Sequence, residues 1–111
     1  MQRIGLGAAL AGAAMLAAGL ALAQRTPGNE SNGHQLAKTW CAGCHFVEAH
    51  ELNAKDAVPS FAAVAAMKST TQLSLDAFLQ TSHHNMPDWR LTRQQVDDVV
   101  AYILSLRSSS S

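Results

Sequence analysis

The chain has 111 residues, enough for one domain and no more. Eight basic residues balance eight acidic ones and only 14% of the chain is charged. That excludes a basic face for nucleic acid and a like-charged docking tail.

Met1-Gln2-Arg3 is a short, positively charged start, and Ile4 to Ala23 carries no charge and is mostly Ala, Leu and Gly. Ala21-Leu22-Ala23 forms a small-x-small cleavage pattern before Gln24. This order of features describes a secretory signal peptide over residues 1–23. The alternative is an uncleaved anchor, because an apolar run of about 20 residues can span a bilayer. The Ala and Gly content makes the run only mildly apolar, and no Cys follows the cleavage site to carry a lipid. Cleavage removes 23 of 111 residues, leaves 88, and takes Arg3 away, so that seven basic residues face eight acidic ones. A domain that small buries little surface and commonly needs a metal, cofactor or disulfide as a staple. The expected address is periplasmic or secreted, with no membrane contact once the signal is cut.

Residues 24–32 are polar, contain Pro27 and Gly28, and read as a flexible lead-in to a domain over 33–107. The first helix is expected from about Gly33 to Cys41, capped by Asn32 with Gln35 three residues on, and with Leu36, Ala37 and Trp40 on one face. Phe46 to Val58 has no clear period and is long for a loop, so something other than its own side chains must organise it. Ser60 caps a second helix, Phe61 to Met67, and Met67 reads as a core methionine. A third helix starts at Ser74, with Leu73 and Phe78 placed as a hydrophobic staple. The fourth is the clearest: Thr92 caps it, Gln95 completes a capping box, and Leu91 staples onto Val96. Val96, Val99, Val100, Ile103 and Leu104 make its apolar stripe, and Asp97 and Asp98 are expected to face water. Ser108 to Ser111 is a serine tail. No segment of useful length alternates as a strand does.

Cys41-Ala42-Gly43-Cys44-His45 is Cys-x-x-Cys-His, the attachment signature of c-type haem. Two thiols on one helical turn can each form a thioether with a haem vinyl group, and the next residue brings an imidazole to the iron. Small Ala42 and Gly43 let the porphyrin lie close to the backbone. A disulfide or thioredoxin-like redox pair would not need His45, and no strand precedes Cys41 as that motif requires. A structural zinc needs four ligands, and Cys41, Cys44 and His45 are three. The sixth iron position falls to Met86, which sits before Pro87 in a polar loop. Two alternatives stay open: ligation by His83 or His84, and an open sixth site. His34 and His50 read as surface residues.

Taken in order, Gly33-x-x-Leu36-Ala37, Cys41 to His45, Pro59-Ser60-Phe61, Asn85-Met86-Pro87 and Leu91-Thr92 through Tyr102 to Leu106 resemble the class I cytochromes c in their short bacterial form. The resemblance covers most of the chain after the signal. It implies an all-α fold of three to four helices wrapped around one covalently bound haem c. It further implies that the first and last helices cross closely, with Gly33 admitting Tyr102, and that the Pro59 carbonyl accepts from His45. The chain departs from mitochondrial members in a shorter segment between His45 and Met86. It also lacks their lysine ring, with Lys38, Lys55 and Lys68 scattered.

The function expected is a carrier of single electrons between redox partner proteins, and not an enzyme. Cys41 and Cys44 would hold the haem, His45 and Met86 would ligate the iron, and Phe61, Val64, Phe78 and Leu79 would bury it. Trp40 and Trp89 flank the two haem-binding segments, to cover the haem edge or simply to pack. Near-neutral charge suits a partner interface with a small apolar rim and little long-range steering. A haem enzyme or gas-binding protein would need an open sixth site. The electron-accepting subunit of a dehydrogenase would carry the same motifs.

Overall fold

The computed structural model describes residues 26–82 and 86–107. The expected signal peptide over 1–23, His83, His84 and Asn85, and the serine tail over 108–111 lie outside the described residues. Four helices occur among those described: α1 Glu30–Leu36, α2 Phe61–Ala66, α3 Gln72–Leu79 and α4 Arg93–Ser105. No strand occurs there, and the expected all-α class holds.

Helix α4 follows its sequence signals closely. Thr92 accepts from the Gln95 backbone N–H while the Gln95 side chain accepts from Thr92 N, and the two together satisfy donors that a helix start leaves orphaned. Its stripe of Val96, Val99, Val100, Tyr102 and Ile103 is buried and forms most of the core with Ala37, Val47, Phe61, Ala65, Leu75 and Leu106. Helix α2 is capped by Ser60, as its position suggests. Arg107 closes the far end: its guanidinium donates to the Ala65 carbonyl, which the end of α2 leaves free, and to the Thr70 carbonyl just beyond the helix.

Several boundaries differ from expectation, each for a local reason. Helix α1 begins at Glu30, three residues early, because Asn29 and not Asn32 is the cap and accepts from Asn32 N. Helix α3 begins at Gln72, because Thr71 caps it and Ser74 answers as the third residue of a capping box. Leu73 therefore sits inside the helix, 78% exposed, and makes no staple with Phe78, itself 49% exposed. Met67 lies past the end of α2 and is 46% exposed, so it is not a core methionine.

Asp97 and Asp98 are buried and do not face water. The cause is the crossing of α1, and of Gly28 just before it, over α4, the most extensive contact between described elements. A Cβ on Gly33 would stand 1.9 Å from Asp98 O and 2.9 Å from Tyr102 Cβ. One on Gly28 would stand 2.0 Å from Asp97 O and 2.9 Å from Ala101 Cβ. Backbone lies directly on backbone at both points, so Gly28 and Asn29 of the expected lead-in pack against α4. Asp98 accepts from Asn29 N at 2.7 Å and from Gln94 Nε2 at 2.9 Å. Its carboxylate thereby completes the cap of α1 from a distant helix.

Candidate functional site

The chain leaves α1 through a wider, π-helical turn, Ala37–Cys41, in which Ala42 N donates five residues back to Ala37 O. Such turns are uncommon and concentrate at functional positions. Here the turn carries Trp40 and Cys41 directly into Ala42-Gly43-Cys44-His45. Cys44 N and His45 N both donate to Cys41 O, which winds the motif tightly. Cys41 is half-buried, Cys44 is exposed, and both are free thiols. Burial pushes the Cys41 thiol up to about 11, so near neutrality it is protonated and poorly suited to thiol redox exchange.

His45 is half-buried, its Nδ1 lies 2.7 Å from Pro59 O, and its ring meets Phe61 at 5.3 Å between centroids. Pro59 is brought there by the loop before it. Phe61 N donates to Phe46 O, Lys55 Nζ to Ala42 O and Ser60 Oγ to Leu52 O. Lys55 and Val58 exchange backbone hydrogen bonds around Asp56 and Ala57, both at positive φ, 49° and 65°. Val47, also in this loop, is buried and its carbonyl accepts from Tyr102 Oη. Backbone bonds, the side chains of Lys55 and Ser60 and one tyrosine from α4 thus organise the segment that lacked a period of its own.

An open, largely apolar cleft lies beside the motif. Leu36, Trp40 and Cys41 line one wall, from the first part of the chain, and Leu79, Thr81, Met86, Pro87, Asp88, Trp89 and Leu91 the other, with Val99 completing the lining. The indoles of Trp40 and Trp89 stack across it, 6.1 Å apart and 16° from parallel. Cys41 and Met86, far apart in sequence, therefore share one cavity. His45 stands apart from that lining, on the Pro59 and Phe61 side. Of the four apolar residues expected around a haem, Phe61 is buried, Val64 and Leu79 are half-buried, and Phe78 is half-exposed.

His34 is a residue that sequence reasoning missed. It is not a plain surface residue: Nε2 lies 2.9 and 3.0 Å from the two Glu48 oxygens, and its ring stacks on Tyr102 at 4.6 Å. Tyr102 in turn meets Phe61, giving a row of rings from His34 to His45. The signal was present, because His34 lies one turn before buried Ala37 on the face that meets α4. Burial, then Glu48 and Glu51, push the Tyr102 phenol up to about 12.

The model of the cytochrome c oxidase, cbb3-type, subunit III family matches residues 28–103. The chain is 43% identical over 76 residues to cytochrome c-552 of Bradyrhizobium diazoefficiens, covering 68% of this chain and 73% of that protein. The chain belongs to the cytochrome c family. No solved structure matches it. As a cytochrome c it is a monohaem, electron-carrying protein with covalently bound haem c. The residues present fit that group: two unpaired thiols on one turn, an imidazole beside them, and an apolar cleft walled in part by Cys41.

Proposed function

We propose that the chain is a periplasmic or secreted cytochrome that passes single electrons between redox partner proteins, is not an enzyme, and ligates its iron through His45 and Met86. Cys41 and Cys44 hold the porphyrin through thioethers, and Pro59 orients His45. The contact that carries this reading is His45 Nδ1 to Pro59 O at 2.7 Å. A carbonyl only accepts, so Nδ1 bears the proton and Nε2 keeps the lone pair that an iron needs. The same bond holds the ring in place. Met86, half-buried and walling the same cleft as Cys41, supports the second axial role. Pro87 restricts the backbone just after it.

Bound haem iron supplies the one-electron Fe(II)/Fe(III) couple. The thioether of Met86 is a soft, neutral donor that favours Fe(II), and the mostly apolar lining of the cleft disfavours the extra charge of Fe(III), so both would raise the potential, with Asp88 the one carboxylate of the lining that opposes them. With His45 and Met86 both given to the iron, the chain would leave no position on the metal for a substrate. Export through a signal over 1–23, cut after Ala23, belongs to the same proposal, as does freedom from the membrane thereafter. No described helix is long and apolar enough to cross a bilayer.

The test is a visible spectrum of the exported protein, made alongside haem-attachment machinery, with N-terminal sequencing. A sharp c-type reduced spectrum unmoved by carbon monoxide, a weak red-edge thioether–Fe(III) band on oxidation, and a start at Gln24 are expected. A spectrum that shifts with carbon monoxide would refute closed His/Met ligation. Met86→Ala should lower the potential and open the iron to carbon monoxide. Cys41→Ala with Cys44→Ala should yield haem that organic extraction removes.

A further inference from the structure

The wall that carries Cys41 and the wall that carries Met86 come from opposite parts of the chain, and something must hold them together. Bonds inside the second wall stiffen it: Trp89 N donates to Pro87 O at 3.0 Å, Leu91 N to Trp89 O at 2.9 Å, and Ser82 Oγ to Asp88 Oδ2 at 3.1 Å. Those bonds are all within the loop. The stacked indoles reach from one wall to the other. Trp40 immediately precedes Cys41 on the π-helical turn, and Trp89 follows Met86 by three residues. Trp89 is 43% exposed, so the core does not depend on it and its contribution is local.

We infer that Trp40 and Trp89 form an aromatic clasp that positions Met86 by holding its loop against the turn that carries the attachment cysteines. The inference rests on the His45/Met86 ligation proposed above. A thioether is a weak ligand, and an external base can take its place only while the loop is open. The apparent affinity of such a base therefore scales with the open population. A stacked pair that contributes within the usual range for aromatic contacts suppresses that population by about two- to tenfold. Tryptophans 40 and 89 are thus positioning residues, acting through Met86 and not on the iron.

The experiment is imidazole titration of the oxidised haem-loaded protein, followed by loss of the thioether–Fe(III) band. Trp89→Ala and Trp40→Ala should each raise imidazole affinity by about two- to tenfold. The double variant should be no more affected than the stronger single one, because both remove the same contact. Trp89→Phe, which keeps a ring, should recover most of the wild-type affinity. Denaturant unfolding of the same variants should move little, which separates positioning from general destabilisation. If the band is present and the tryptophan variants bind imidazole as the wild type does, or if their effects simply add, the clasp is overturned while Met86 ligation stands. If the wild type lacks the band, or Met86→Ala leaves imidazole affinity unchanged, the ligation itself fails and the clasp fails with it.

Discussion

Two contacts join distant parts of this chain, and they are built from different material. Where α1 crosses α4, backbone touches backbone, and Gly28 and Gly33 leave no space for even a methyl group. Where the Met86 loop meets the haem-motif turn, two partly solvated side chains touch across a cleft. The first contact has no adjustable part, since any added atom must displace main chain. The second can be loosened by one substitution while the core remains. Such a division suits an electron carrier: the frame stays rigid while the environment of the metal can vary by small side-chain changes.

The comparison breaks most sharply at the crossing. Gly33→Ala places a Cβ against Asp98 O, and overpacking of that kind costs about 1–3 kcal/mol. Alanine's better helix propensity returns about 1 kcal/mol, so a net loss of about 2 kcal/mol in denaturant unfolding is expected at the upper end of the clash. A neutral result would mean that α4 slides easily, and the contrast with the clasp would disappear. Tyr102→Phe removes the donor to the Val47 carbonyl and should cost about 1–2 kcal/mol.

The same phenol sharpens the comparison through pH. Its pKa is raised from 10.0 to about 12 in the folded chain, so the unfolded chain loses this proton first. The contribution to stability is full below pH 10, falls as pH rises through the window from 10 to about 12, and is exhausted above it. Tyr102 is the only tyrosine in the sequence. Tyrosinate absorbance should therefore rise near pH 12, and a rise near 10 would place the hydroxyl in water.

Thr92→Ala opens the capping box of α4 and should lower stability by about 1 kcal/mol, with no effect on imidazole binding. Ala57→Gly is the smallest change expected. Left-handed backbone costs an alanine about 1–2 kcal/mol, partly offset by the freedom glycine adds to the unfolded chain, for a net gain of about 0.5–1 kcal/mol by thermal unfolding.

Legibility differed between regions for the same physical reason. Helix α4 could be read because its cap, capping box and stripe are local signals along one stretch of chain. Cys41 to His45 could be read because attachment chemistry demands residue types at fixed spacing. Asp97 and Asp98 could not be read correctly, since their positions on the helix wheel are polar and only the chain from Gly28 into α1, lying over them, takes them out of water. Asn29 replaced Asn32 as the cap of α1 for a related reason: Asp98 holds its N–H from across the fold. His34 looked like a surface residue because its partners, Glu48 and Tyr102, are remote in sequence.

By itself, the sequence determined the all-α class, the family, the covalent haem motif and the longest described helix, because each depends on neighbours within a turn or two. The tertiary structure alone decided that Cys41 and Met86 share a cleft and that Trp40 stacks on Trp89. It alone set the contact of His34 with Glu48 and Tyr102, and buried Asp98 under α1 and Asp97 beneath Gly28. These are meetings of residues distant in the chain, and only the closed path of the backbone brings them together.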